Sequence, residues 1–471
     1  MRFFKKNKKK LLIIGLDGVP YEMIKGFAGN AMMPNLKKLF ASGRLVKMAA
    51  SIPEISAVSW SGFMTGTDSG NHGIFGFVDL APAGYDYRFP NFYDLRVPPF
   101  FEWAASTPYE GPGKGAATPT AKGPGNQVSD RGDRKAYFFS KFLRGSSEKR
   151  SVIINLPATY PARKIPGVLV SGFVAIDLKK AVYPAKYFPV LEELGYEIDI
   201  GLHKGKEDKS RLISDLHRVL AARKKAADFF WKEEKWDLFM FTITGTDRLH
   251  HFLFDAYADK AHPFHEEFCK YYREVDRIIG DFLDKIAGKQ EFQVIVLSDH
   301  GFGLIEQEVY LTPILRNRGF FETGAGKVKS LEDITGGAKA FALDPSRIFI
   351  HTNGRFPRGR VSKGDYEKIR SEIKQLFEDY EINGKKVIKK VYFKEEIYSP
   401  RFLDRAADII LLANHGFDLK SGLKKEQEYG RSFFTGMHLQ DNAFFFTDRP
   451  ELLPEKMTIF DVKNIITEIL A

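Results

Sequence analysis

The sequence predicts an α/β protein built on a central, mostly parallel sheet. Continuous apolar runs rich in β-branched residues recur along its 471 residues. Helical stretches separate them, and polar residues with chemistry to offer stand where several runs end. Unbroken apolar runs, rather than alternating ones, mark strands covered on both faces, which is the condition of a parallel sheet. The expected strands are 11–16 (LLIIGL), 151–155 (SVIIN), 167–171 (GVLVS), 237–243 (DLFMFTI), 293–298 (QVIVLS) and 407–412 (ADIILL). Helical periodicity covers 210–232 and 264–287. In the second, Phe268, Tyr272, Val275, Ile279 and Phe282 form one stripe, read as core packing, with Cys269 a small buried hydrophobe.

Composition bounds the rest. At 44% hydrophobic and 28% charged, the chain is an ordinary globular protein. One cysteine excludes an internal disulfide framework and suits a reducing, cytoplasmic setting. The net charge of +11 is local. Residues 1–10 (MRFFKKNKKK) carry six basic and no acidic residues; 106–150 carry nine basic and four acidic, so these segments account for it all. No basic face is left on the core for specific nucleic-acid binding. The tail suits electrostatic contact with an anionic surface, although a solvated tail is the simpler reading. LLIIGL breaks at Asp17, too short for a spanning helix or signal peptide, so no transmembrane segment is expected.

Two excursions interrupt the pattern. Residues 105–150 are rich in Gly, Pro, Ser and Thr, and a flexible insertion is expected there. Its GPGKG lacks the spacing of a phosphate loop and no strand precedes it. Residues 321–404 hold a strand (RIFIHT), a basic turn (NGRFPRGR) and a helix (DYEKIRSEIKQLFEDY), enough for a small α+β cap subdomain. The expected organisation is a basic tail at 1–10, a core at 11–320 and 405–471, and a cap at 321–404. No internal repeat is present.

The chemistry gathers in seven residues: Asp17, Ser56, Asp247, His251, Asp299, His300 and His438. Carboxylates and imidazoles are ligands for divalent metals, and a hydroxyl beside them makes a nucleophile. Asp17, Asp299 and His300 end apolar runs, and Asp247 follows one closely, where open α/β sheets bind ligands. Asp247 and His251 are four apart and share a face if helical, which favours His251 over His250. His415 in ANHGFD competes with His438, and Ser59 and Ser61 compete with Ser56. His72 reads as a structural residue supporting a turn.

At these residues the chain resembles the alkaline-phosphatase superfamily, specifically its type I phosphodiesterase/nucleotide pyrophosphatase branch. LIIGLDGV resembles the opening metal-aspartate strand, and the stretch from Ser56 to HGIF at 72–75 the nucleophile region, with TG at 65–66. TGTDRLHH resembles the D-x-x-x-H motif, LSDHG the central D-H pair, and GMH the last metal histidine. The resemblance covers nearly the whole chain. It implies a three-layer alkaline-phosphatase-like core and two divalent metal ions, zinc or else manganese. One ion would be held by Asp247, His251 and His438, the other by Asp17, Asp299, His300 and the Ser56 hydroxyl. It further implies a hydrolase of small phosphate esters, diester or monoester, working through a phosphoseryl enzyme at Ser56.

Two departures bear on the substrate. Nucleotide pyrophosphatases carry threonine where Ser56 stands, and an asparagine holding a phosphate oxygen where this chain has Phe77. Asn71, a backbone amide, Arg355 or Arg358 are the remaining candidates for that oxygen. A phosphoglycerate-mutase-like phosphomutase and an inactive binding homologue are the alternatives. A sulfatase is excluded, because C/S-x-P-x-R is absent.

Overall fold

The computed structural model describes residues 9–82, 84–102, 149–200, 208–324 and 328–471. Most of the basic tail and nearly all of the 105–150 insertion therefore lie outside the described residues. Lys10, the last residue of the expected tail, already belongs to the first strand.

Nine strands form the main sheet. Their spatial order is Met457–Thr458, Arg44–Ala49, Ala443–Thr447, Phe292–Leu297, Lys10–Leu16, Leu238–Ile243, Ser151–Leu156, Gly167–Ser171 and Val182–Tyr183. The centre is parallel throughout: Lys10–Leu16 pairs with Leu238–Ile243 on one side and Phe292–Leu297 on the other. Antiparallel pairing enters only beyond it, where Ala443–Thr447 joins Phe292–Leu297 and Arg44–Ala49, and where Val182–Tyr183 closes the far edge.

Alternation along the strands makes three layers. Leu12, Ile14 and Leu16 face one apolar cluster with the helices Lys209–Glu233, Gly245–Ala258 and His265–Ile286. Leu11 and Ile13 face another, with Trp60, Phe63 and Met64 of the helix Ser56–Thr65 and with Val462–Leu470. A strand covered on both sides has no polar face to offer, which is why its sequence is uninterrupted. The expected stripe on His265–Ile286 lies in the first cluster, and Cys269 is buried beside it. The short helix Pro34–Phe40 has no side-chain cap of its own. The buried Asp276 carboxylate, from His265–Ile286, accepts from Asn35 and Leu36 N–H at 3.0 and 2.9 Å instead.

Residues 407–412 do form a strand, Ile409–Ala413, but not in the main sheet. It pairs with Arg347–Ile350 and Ile388–Phe393 in a four-stranded sheet completed by Ala340–Leu343. Periodicity reports that a strand is buried on both faces; it does not report against which partners. The apolar cluster of this second sheet runs from Val309 to Leu419 and takes in Tyr85. This cluster therefore draws on residues on both sides of 321–404. Arg347, 1% exposed, ties it to the core segment 78–79: Nη1 donates to Asp79 Oδ1 at 2.8 Å and Nη2 to the Val78 carbonyl at 2.6 Å.

His72 is fully buried at the end of the helix Ser69–His72. Its Nδ1 accepts from Ile74 N–H at 3.2 Å, the turn-supporting part expected of it. Burial pushes its pKa down to about 3.

Two outcomes follow from these contacts. Between the ordinary histidine pKa and about 3, only the unfolded chain binds a proton at His72, so stability falls as pH falls. His72→Asn keeps an acceptor for Ile74 N–H without titrating. It should reduce the acid-side slope of unfolding free energy by about 1.4 kcal/mol per pH unit in denaturant titrations. Asp79→Leu strands a buried guanidinium and should cost about 3 kcal/mol. Adding Arg347→Met should recover most of the lost thermal midpoint, since an apolar pair replaces a buried ion pair at little cost.

Candidate active site

All seven residues meet at the carboxyl edge of the main sheet, where three adjacent strands end. Asp17 follows Lys10–Leu16, Asp299 and His300 follow Phe292–Leu297, and Asp247 opens the helix that follows Leu238–Ile243. Strand end and helix start are separated only by Thr244, so Asp247 enters the cluster from the first turn of Gly245–Ala258. The helical spacing holds: His251 Nε2 lies 3.4 Å from Asp247 Oδ2. His438 comes from the strand Gly436–Leu439, which pairs with Gly301–Leu304 immediately after His300. Ser56 is the first residue of the buried helix Ser56–Thr65.

His300 Nε2 is the hub. It lies 3.1 Å from Ser56 Oγ, 3.4 Å from Asp299 Oδ2, 3.6 Å from Asp17 Oδ1 and 4.0 Å from Asp247 Oδ1. His438 Nε2 stands 3.1 Å from His251 Nε2 and 3.2 Å from Asp247 Oδ1. Two overlapping groups could therefore hold a cation, Asp17–Asp299–His300 and Asp247–His300–His438, with His251 beside the second.

The proton positions follow from the backbone. Nδ1 of His300 faces the Gly301 carbonyl at 3.0 Å, Nδ1 of His438 the Glu54 carbonyl at 2.8 Å, and Nδ1 of His251 the Gly436 carbonyl at 3.3 Å. A carbonyl only accepts, so each Nδ1 carries the proton and donates it. Burial lowers the pKa of His438, and burial with His438 close by lowers that of His300 to about 4, keeping both rings neutral. Nε2 lone pairs are thereby aimed at the carboxylates, the orientation that backbone carbonyls impose on metal-ligating histidines.

The carboxylates are held just as firmly. Trp60 Nε1 donates to Asp17 Oδ2 at 3.2 Å and Thr246 Oγ1 to the Asp17 carbonyl at 2.6 Å. Gly18 adopts φ +67°, where a Cβ would strike the Phe302 ring, and its N–H donates to Asp299 Oδ1 at 3.1 Å. His250, on the other side of its helix from His251, donates through Nδ1 to the Gly18 carbonyl and accepts from Tyr272. It buttresses the site without entering it. Arg248 donates to Asp247 Oδ2 at 3.1 Å and to Asp199 at 2.7 Å.

Electrostatically the cluster is short of positive charge. Burial, with Asp299 and Asp247 nearby, pushes the Asp17 carboxyl well above its usual range. Burial, with Asp247 close, pushes Asp299 up to about 7. Burial opposes ionisation of Asp247 too, but His251, His438 and Arg248 together hold it well below. Asp247 Oδ1 and Asp299 Oδ2 are buried with no hydrogen-bond partner.

The competing residues sit elsewhere. His415 is exposed and pairs with Asp441 at 3.0 Å, whereas Ser59 Oγ bonds Ser51 Oγ and Ser61 Oγ the Ala57 carbonyl. Of the candidates for the phosphate oxygen, Asn71 bonds Thr67 Oγ1. Arg355 is held by Asp408 and the Ala406 carbonyl, and Arg358 by Glu332 and the Ile334 carbonyl, so both serve the cap. Phe77 packs edge-on against Phe173, 5.2 Å between ring centroids, in a hollow that Ala57 and Val174 also line. Arg248 lies over the other Phe173 contact, 4.2 Å from the ring, linking this aromatic wall to Asp247. The sequence reading missed Trp60, Thr246 and Arg248. Trp60 is one helical turn beyond Ser56, and that spacing was the available signal.

Solved structures resemble the whole molecule. Phosphonoacetate hydrolase from Sinorhizobium meliloti 1021, in complex with phosphonoformate or phosphonoacetate, superposes at TM-score 0.59 and 17% identity, covering 98% of this chain and 96% of that one. Murine ectonucleotide pyrophosphatase/phosphodiesterase 5 in complex with AMP gives TM-score 0.53 at 13% identity, over 98% and 95% of the two chains. At these identities the likeness is one of fold. No curated protein sequence matches the chain. The profile of the type I phosphodiesterase / nucleotide pyrophosphatase family matches residues 11–438, a stretch that contains every member of the cluster from Asp17 to His438. The chain belongs to that family.

Proposed function

We propose that the protein is a two-cation phosphoric ester hydrolase, a phosphodiesterase or phosphatase that works through a phosphoserine at Ser56. One observation carries this reading: histidine Nε2 atoms and buried carboxylate oxygens converge within 3.1–3.6 Å, and burial among like charges pushes Asp17 and Asp299 upward, so the cluster is short of the positive charge that a cation supplies. Electron-pair donors at 3.1–3.6 Å repel unless a cation lies between, and the residues present fit that group. Asp247, His251 and His438 would hold one ion; Asp17, Asp299, His300 and Ser56 Oγ would hold the other. The mixed nitrogen and oxygen donors suit zinc, with manganese as the alternative. Bound there, such ions would supply Lewis acidity to the phosphoryl oxygens and offset the charge of an in-line displacement.

The chain's own residues do the rest. Trp60 and Thr246 fix Asp17, and Gly18 fixes Asp299, so the donor set needs no rearrangement to bind. Ser56 Oγ bonds to phosphorus as the bond to the leaving oxygen breaks, and the alcohol departs with the proton. Water then hydrolyses the phosphoserine, returning Ser56 and releasing the acid. As the first residue of its helix, Ser56 presents the phosphoryl group to outward-pointing amide N–H groups, which substitute for the missing asparagine. The hollow lined by Phe77, Phe173 and Ala57 favours a leaving group with apolar or aromatic surface. Small phosphorus-containing ligands occur in the similar structures, phosphonoacetate in one and AMP in another, which supports a small-molecule substrate. The single cysteine, buried at Cys269, supports a reducing, cytoplasmic setting.

Ser56→Ala should lower turnover of p-nitrophenyl phosphate and bis(p-nitrophenyl) phosphate by about a thousandfold or more, with thermal midpoint and bound metal largely kept. Undiminished turnover would remove Ser56 as nucleophile. Chelation should abolish turnover and lower the thermal midpoint, and titration with about two equivalents of zinc should restore both. Full activity in chelated protein with no metal by elemental analysis would sink the two-cation reading.

A further inference from the structure

A second cavity, of about 290 Å³, opens between the core hairpin at 79–88 and the cap. None of the seven clustered residues lines it. Arg88 reaches it from the core, and Arg355 and Arg405 from the cap, while Leu80, Pro82 and Phe356 give it an apolar side.

The charges around it do not cancel. Asp79, which lines it, is taken by Arg347 at 2.8 Å, and Arg355 is taken by Asp408 at 3.1 Å. Arg405 has no such partner: among the described residues no carboxylate forms an ion pair with it. One of its nitrogens donates to the Gly73 carbonyl at 3.0 Å, and the group otherwise stands near the Phe75 and Phe402 rings. The Arg96 side chain flanks the same glycine through its Cγ, and its charge also acts against Arg405. Arg88 Nη2 forms an ion pair with Asp94 at 3.2 Å but makes no hydrogen bond among the described residues, so its donors stay available to an anion. Burial, then Arg88 nearby, lowers the Arg405 pKa, although Asp79 and Asp94 oppose the shift. Asp404, the remaining acid on the lining, is exposed and solvated.

A half-buried guanidinium without a carboxylate is costly, and the planar forks of two arginines match the oxygens of one phosphate. We propose that this cavity is a second anion site, in which Arg405 and Arg88 bind the phosphoryl group of a small phosphate or phosphonate ester whose apolar body lies against Phe356 and Pro82. The site draws on both cap and core, so its occupant bridges them. It acts independently of hydrolysis at Ser56.

Phenylphosphonate, an unhydrolysed anion with an apolar body, is the probe. By titration calorimetry, the metal-loaded wild-type protein should bind one more equivalent than Arg88→Gln/Arg405→Gln. The same double variant should keep kcat and KM for p-nitrophenyl phosphate within about twofold. Arg405→Lys, which keeps the charge and loses the fork, should weaken that equivalent at least tenfold with an unchanged thermal midpoint. Equal stoichiometry in wild type and the double variant, or undiminished affinity in a well-folded Arg405→Lys, overturns the site. A collapse of kcat in the folded double variant overturns its independence from Ser56.

Discussion

Three carboxylates buried within hydrogen-bonding range of one another's neighbours are the constraint to which the rest of this molecule answers. Asp17, Asp247 and Asp299 stand at the ends of three adjacent parallel strands, where burial and mutual repulsion oppose the charge of Asp17 and Asp299. Among the described residues, only Asp247 of the three forms an ion pair with a guanidinium. The surroundings are therefore built to hold the carboxylates apart and fixed: Trp60 from one face of the sheet, Tyr272 through His250 from the other, and a left-handed glycine between Asp17 and the next turn. Gly15 belongs to the same effort, since a Cβ there would meet the Trp60 ring at 2.9 Å. The helices on the two faces are thus more than cover for an apolar sheet. They carry the struts that keep like charges in place.

Much of this was legible in the sequence because local patterns report local physics. A run such as LLIIGL can be a two-sided strand and little else, and the chain of command from strand end to ligand follows from how parallel sheets are wound. Asp247 and His251 could be paired on paper because helical spacing is short-range. What escaped was set by contacts distant in sequence. ADIILL looks the same in either sheet, and only its pairing with Ile388–Phe393 decides. Arg355 and Arg358 looked free because Asp408 and Glu332 lie 53 and 26 residues away. Trp60 is a core aromatic whose indole N–H adds a second duty that composition does not reveal.

Polar contacts and shared apolar clusters both join the second sheet to the rest of the molecule. Arg347 reaches Asp79 and Val78, and Tyr398 donates to the Ile52 carbonyl shortly before Ser56. Ser399 bonds Asp68, which itself caps the helix Ser69–His72. These bonds fall on the segment that carries Ser56 rather than on the sheet. The cap is in a position to set how Ser56 is presented while leaving the carboxylates untouched.

The pairing of Gly301–Leu304 with Gly436–Leu439 gives the molecule a temporal asymmetry. As the chain is made, Asp17, Asp247, Asp299 and His300 all exist before the cap does, and the sheet that gathers three of its central strands can already close. His438 arrives only after the whole cap has been synthesised and the chain has returned to lie beside His300. Six of the seven clustered residues are thus made before the second sheet, and His438 is added only late in synthesis. A truncated or stalled product would carry the cluster without His438.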